Sequence, residues 1–213
     1  MEIIDWQKWK DSLTLSLSKT LPGTTAHKKM LPLNRLETTL EIENNAKQSA
    51  VMIILFPDEY QKLSLVLIER TKDGGVHSGQ IALPGGKVEN FDQSLLDAAI
   101  RETGEEVALS KETFEVIGQL SPLYIKVSNF LVNPFIAFCD NPPSLKKSDH
   151  EVTEIYTTDL KLLLHSKSII PIAALDKLWQ APVYQLPNKI NVWGATAMIL
   201  SELEMILLDA KLL

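Results

Sequence analysis

The rhythm of apolar and polar positions changes along this chain, and each change predicts an element. Ile3, Trp6, Trp9, Leu13 and Leu17 recur near helical spacing and predict an amphipathic helix over residues 3–19. Pro22, Gly23 and Pro32 then interrupt the pattern. From residue 49 the period shortens: "SAVMIILF" and "LSLVLIER", joined by the polar "PDEYQK", predict a hairpin of largely buried strands. "GGVHSGQIALPGG" is expected to be a glycine-rich loop with at most a short strand at Gln80–Leu83. Leu96, Ala99, Ile100, Thr103 and Val107 share one side of a predicted helix, with Asp92 as its expected N-cap. Further strands are expected at Thr113–Leu120, Phe130–Cys139 and Glu151–Thr157, a short helix at Leu160–His165, and a last helix over about Ala195–Lys211. Strands broken by a few helices, with no internal repeat, predict an α/β sandwich with a mixed sheet. The expected organisation is an extension over residues 1–48, carrying the amphipathic helix, before a single domain over 49–213.

The middle helix carries an anomaly. Glu102, Glu105 and Glu106 stand at i, i+3 and i+4, so three carboxylates share one face. Each such like-charge pair costs an isolated helix about 0.2–0.5 kcal/mol. With Glu102 at zero, Glu105 falls at about −60° and Glu106 at about +40°, and the apolar stripe begins at about +60°. The acids border the buried stripe, where long side chains point into a cleft. Ala98, one turn earlier on the acid side, is expected to leave open space. Upstream, Gly85 and Gly86 allow a close backbone approach that would bring loop and helix to one site. Hard oxygen ligands of this kind suit Mg²⁺ or Mn²⁺ together with a phosphate-bearing substrate. Arg101 would brace a carboxylate through charge-assisted hydrogen bonds. A solvated acidic face is the competing reading.

Bulk properties narrow the partners. The formal net charge of −6 and a pI of about 5.3 argue against nucleic acid, whose phosphate backbone selects basic surfaces. The start, "MEIIDWQKWKD", shows neither a basic segment nor an apolar core of a leader peptide. The longest apolar runs fall far short of the roughly 20 residues of a membrane helix, so no membrane partner is expected. The single cysteine, Cys139, lies in "NPFIAFC" and reads as core packing. With no second thiol for a disulfide, a cytoplasmic setting is expected.

At these residues the sequence resembles the Nudix hydrolases, whose signature is Gly, five residues, Glu, seven residues, then Arg-Glu-apolar-x-Glu-Glu-x-Gly-apolar. "RETGEEVAL" supplies Arg101, Glu102, Glu105, Glu106 and Leu109 in register, with Thr103 and Ala108 departing at the apolar and Gly positions. Fourteen residues separate Gly86 from Arg101 where the general pattern has thirteen, and Asp92 or Gln93 stands where the first Glu is expected. That longer spacing looks like the coenzyme A diphosphatase branch. So does "LIERTKDGGVHSGQIALPGG", with Arg70, His77, Gly79, Gln80 and Gly86 in register, and so do "SPLYIKVSNFLVNPF" and "NVWGATAMIL". One departure is Gly75, where many members of that branch carry Arg.

The resemblance implies a Nudix-type α/β/α sandwich and a metal site of Glu102, Glu105 and Glu106 on Mg²⁺ or Mn²⁺. Catalysis would involve Glu102, Glu105 and Arg101, with substrate contacts from Arg70, His77, Gly85 and Gly86. The reaction would be attack of an activated water on one phosphorus of a diphosphate bridge. The expected substrate is a nucleoside diphosphate derivative: coenzyme A or acyl-CoA, giving 3′,5′-ADP and (acyl-)phosphopantetheine. Other readings are an ADP-ribose or dinucleotide hydrolase, and a non-catalytic nucleotide-binding module. Glu102 is the first candidate for general base, with Glu151 or Glu154 in "HEVTEIY" as alternatives. His77 would contact a phosphate or order its loop, and Arg70 would clamp a phosphate or pair with Glu69 or Asp73. Lys28, Lys29 and Arg35 form a basic cluster that would meet a 3′-phosphate or stay solvated. Trp6 and Trp9 would cover a homodimer surface or pack on the chain's own core, and Trp193 is expected to be structural.

Overall fold

The computed structural model describes residues 4–33, 42–72, 74, 77–174 and 177–213. Ile3, Arg35, Asp73 and Gly75 lie outside the described residues. Two strands organise everything else. β1 (Lys47–Pro57) and β7 (Phe130–Phe138) run parallel, from Lys47 opposite Phe130 to Leu55 opposite Phe138. Both are apolar almost throughout because both faces of their sheet are covered. On β1, Ile53 and Leu55 enter one core, while Ala50, Met52, Ile54 and Phe56 enter the other.

Around this pair the sheet is mixed. β2 (Leu63–Arg70) forms the expected hairpin with β1, and β8 (Val152–Asp159) pairs antiparallel with β2. β3 (Ile81–Ala82) adds to β2, and β4 (Gly85–Lys87) adds to the first half of β1. β5 (Glu115–Gln119) and β6 (Leu123–Ile125) pair with β7. The expected loop through "LPGG" is therefore strand at its glycines. One face of the sheet is covered by α3 (Leu95–Val107); the other is covered by α1 (Trp6–Leu17) and α5 (Gly194–Asp209). Helices on both faces of a mixed sheet make the α/β/α sandwich that the sequence predicts.

The amphipathic N-terminal helix forms, and Trp9 and Leu13 are buried in the α5-side core. Trp6 and Trp9 both stack on Phe138, and Trp9 Nε1 donates to Leu212 O at 3.1 Å. Of the two readings of these tryptophans, packing on the chain's own core is the one seen. The short helix α2 (Thr24–His27) follows and rests on α5. Beyond β8, α4 (Leu160–His165) forms as expected. A separate antiparallel sheet of β9 (Ser168–Ala174), β10 (Lys177–Gln185) and β11 (Asn191–Val192) was not predicted. Cys139 is buried, and burial pushes its thiol up to about 11. Among the described residues no helix is long and apolar enough to cross a membrane.

Candidate active site

The site is built where α3 crosses β4. Ser94, not Asp92, caps α3: its Oγ accepts from the Asp97 N–H at 3.1 Å and donates to the Asp97 carboxylate at 2.9 Å. That reciprocal Ser-x-x-Asp cap starts the helix two residues later than expected. Asp92 is thereby free to face Arg101, which grips it with Nε and Nη2 at 3.0 and 3.1 Å. The same guanidinium donates through Nη1 to Glu102 and Glu105, each at 2.9 Å, and through Nη2 to Lys87 O. The hydrogen bonds from Arg101 hold the Asp92 carboxyl below the usual range. Arg101 thus ties the extra-long loop, β4 and two of the three acids into one unit.

Burial of the three glutamates follows the helical wheel. Glu105 is 54% exposed at its side chain, whereas Glu106 is only 2% exposed. Glu106 Oε2 accepts from the Gly85 N–H at 2.8 Å, and Oε1 lies 3.4 Å from Arg70 Nη1. Burial pushes its carboxyl up to about 7, with repulsion from Glu102 and Glu151 adding to it and Gly85 and Arg70 opposing it. Glu102 is also raised, chiefly by burial, and its carboxylate lies directly against Gly86, where any Cβ would collide with it. Ala98 does not open space on the acid side as expected; it is fully buried against the sheet.

On the other side of β4 lies a cavity of about 360 Å³. Arg70, His77, Gly85 and Gly86, the four expected substrate contacts, all line it, as do Gln80 and Lys87. Its remaining wall is largely apolar, with Val51, Ile125, Phe130, Val132 and Ile199. His77 Nδ1 pairs with Gln80 Oε1 at 3.1 Å, which is the loop-ordering contact. Arg70 turns to Glu106, while Glu69 accepts from the Tyr156 hydroxyl.

A model of the NUDIX domain matches residues 46–168. The chain belongs to the Nudix family. It is 31% identical over 178 residues to the uncharacterized Nudix hydrolase NudL of Pectobacterium atrosepticum, covering 82% of this chain and 90% of that one. It is 35% identical over 162 residues to the protein of the same name from an Enterobacter species, covering 75% and 82%. Among solved structures, a MutT/nudix family protein from Enterococcus faecalis superposes with a TM-score of 0.53 at 16% identity, covering 98% of this chain and 76% of that one. The Nudix hydrolase RenU of M. smegmatis superposes at 0.51 and 14% identity, covering 76% and 87%. This Nudix protein is a hydrolase of diphosphate bonds.

Nudix hydrolases use divalent metals, and the chemistry of this donor set fits one. Two half-hidden or hidden carboxylates flank Gly85–Gly86, both with affinity for protons raised by burial, to which neighbouring negative charge adds. The carboxylate oxygens of Glu102 and Glu106 are donors of the kind a hard cation prefers. Among the described residues, however, no three acidic, histidine or cysteine side chains gather as a ready metal cluster. Arg101 Nη1 occupies one oxygen each of Glu102 and Glu105, 2.9 Å from both. Three further residues adjoin these acids: Lys87, which the sequence did not single out, Asp92, expected as a helix cap, and Glu151, expected only as an alternative base. Lys87 and Asp92 are brought in by β4 and by the Arg101 grip, and Glu151 acts through its charge on both Glu102 and Glu106. Lys28 and Lys29 are exposed and do not line the cavity.

Proposed function

We propose that this Nudix hydrolase cleaves coenzyme A or acyl-CoA to 3′,5′-ADP and (acyl-)phosphopantetheine, using Mg²⁺ or Mn²⁺. The observation that carries the reading is where the branch-specific stretch folds. Arg70, His77, Gln80, Gly85 and Gly86, the residues by which the sequence resembles the coenzyme A branch, form one wall of the substrate-sized cavity beside the acidic helix. The apolar opposite wall suits the uncharged arm of such a substrate.

In this reading Glu102 and Glu106 would hold the metal, with Glu105 assisting from the rim, and Arg101 would position Glu102. The cation would neutralise the diphosphate oxygens as charge develops on the leaving phosphate. Arg70, now 3.4 Å from Glu106, would bind a phosphate oxygen of the substrate. The backbone at Gly85–Gly86 admits the diphosphate closely, and His77 holds the loop in place through Gln80. Glu102 accepts the proton of the attacking water as the oxygen–phosphorus bond forms and the bridging bond breaks; Glu151 is the other candidate for this role. Catalysis is assigned to residues 49–213, with 1–48 as a supporting extension. The lone, buried Cys139, which has no partner for an intramolecular disulfide, favours a cytoplasmic setting.

The test is turnover of CoA, ADP-ribose and diadenosine polyphosphates with Mg²⁺ or Mn²⁺, products separated by chromatography, with Glu106→Gln as control. Release of 3′,5′-ADP from CoA by the wild type alone is the expected result. Hydrolysis of ADP-ribose but not CoA would remove the coenzyme A assignment, and equal rates in the variant would remove the site.

A further inference from the structure

The cations around the cavity are not equivalent. Arg70 faces Glu106, and Lys87 pairs with Glu89 at 3.1 Å. Lys47 differs: among the described residues no carboxylate forms an ion pair with it, and its ammonium instead lies 6.0 Å from the centre of the Phe130 ring. Strand register fixes where it points. Lys47, Ser49 and Val51 alternate onto one face of β1. Phe130 stands opposite Lys47, Val132 and Lys87 opposite Ser49, and Gly85 opposite Val51. Ser49, Val51, Gly85, Lys87, Phe130 and Val132 all line the cavity. Lys47 therefore extends that lining by one step, at its outer end. The nearby acid, Glu43, acts on the Tyr124 hydroxyl, on the face of β6 opposite Ile125, which lines the cavity.

We infer that Lys47, seated on Phe130, forms a second anion subsite that takes a phosphomonoester of the substrate separate from the diphosphate being cleaved. This rests on the reading that the Gly85–Gly86 end receives the diphosphate. Four strand steps carry the chain from Lys47 to Val51, about 13 Å, and the length of a lysine arm can span part of that gap. One nucleotide carrying phosphates on two of its ribose oxygens fits between these ends. The Phe130 ring, 6.0 Å from the exposed ammonium, does not neutralise it, so its charge remains available to an anion. The same subsite makes a nucleoside diphosphate without the additional phosphate a poorer substrate.

Binding and turnover separate this inference from the reading beneath it. Calorimetry with Mg²⁺ present compares 3′,5′-ADP with 5′-AMP on the wild type, Lys47→Met, Lys47→Arg and Lys87→Met. The wild type is expected to bind 3′,5′-ADP roughly tenfold more tightly, a partly exposed charged contact being worth about that. Lys47→Met should abolish the preference and Lys47→Arg retain it. Equal affinities in the wild type, or a preference that survives Lys47→Met and disappears in Lys87→Met, would overturn the subsite. In parallel, the ratio of kcat/KM for CoA over 3′-dephospho-CoA should fall in Lys47→Met by a similar factor. Hydrolysis of neither compound by the wild type would overturn the coenzyme A reading, while the calorimetry still decides the subsite.

Discussion

Glu106 shows at the scale of one residue how function opposes stability. A carboxyl pushed up to about 7 by burial binds its proton more tightly in the folded chain than in the unfolded one. Between pH 4.5 and about 7 the folded state therefore carries the extra proton, and stability falls as pH rises through that window. The loss is about 3 kcal/mol if the whole shift is expressed. Metal-free protein should melt at lower temperature at pH 8 than at pH 5 from this source, and Glu106→Gln should flatten that dependence; thermal melts in a chelator measure both. Metal binding requires the ionised carboxylate, so affinity should rise with pH towards 7, with about one proton released per ion bound near pH 6. Titration calorimetry in buffers of different ionisation enthalpy reads that proton. In turnover the same Glu106→Gln change should lower kcat by about 10²-fold or more, the scale of several kcal/mol of lost charge stabilisation.

At the scale of elements, the geometry of β4 against α3 decides what glycine does. Gly85 has φ +149° and lies so close to β1 that a Cβ would strike Ala50 O and the Val51 backbone. A Cβ at Gly86 would first strike the end of the Glu102 side chain, which can swing away. Gly85→Ala is thus expected to cost stability, whereas Gly86→Ala should leave the melting temperature within about 2 °C and lower activity roughly tenfold or more by displacing Glu102. Melting curves and turnover of the two variants test this contrast. β4 was also the element hardest to read in the sequence, because "GGK" has no side-chain alternation and pairs through backbone alone. β1, β2 and β7 were legible since burial on both faces left long apolar runs, and α3 was legible from its wheel, including the graded burial from Glu105 to Glu106. Asp92 was misread as a cap because Ser94, two residues on, offers the same signal. β9 and β10 are hard to read in the sequence because Pro171 and Pro182 sit inside the strands and speak against a ladder, and β11 is only two residues long. The Arg101 grip on Asp92 and the charge of Glu151 at the site depend on chain segments meeting in space, which spacing alone does not encode.

The whole molecule hangs on a second buried glutamate with the opposite behaviour. Glu202 on α5 is fully buried, yet its carboxyl stays below the usual range. Burial pushes it up, but hydrogen bonds from His27, Ser121 and Gly23 together outweigh that push. Oε1 accepts from the Gly23 N–H at 2.8 Å and the Ser121 hydroxyl at 2.6 Å; Oε2 lies 3.0 Å from His27 Nε2 and 3.2 Å from the Ser121 nitrogen. One side chain thus fastens the N-terminal segment and the turn between β5 and β6 onto the helix whose first turns, at Ala195, Thr196 and Ile199, line the cavity. Because the folded chain depresses this carboxyl, its contribution is present above the unfolded value near 4.5 and is lost as pH falls below it. Glu202→Ala leaves four polar partners stranded and should cost about 3–5 kcal/mol, lowering the melting temperature by roughly 6–20 °C for a chain of this size. Glu202→Gln, which keeps the shape and loses the charge, should cost less at pH 7 and lack the extra loss at low pH. Melting curves of wild type and both variants from pH 4 to 8, with KM as a second readout, decide the point: a KM that rises as the pair is weakened ties the extension to the cavity through α5. An unchanged melting temperature in Glu202→Ala would show that the aromatic packing of Trp6 and Trp9 on Phe138 holds the extension without the buried pair. Burial of Glu106 lowers stability as pH rises whereas Glu202 adds stability at the opposite face of the sheet, so the two glutamates are distinguished by their donors: one backbone N–H and an Arg70 at 3.4 Å at the first, four close partners at the second.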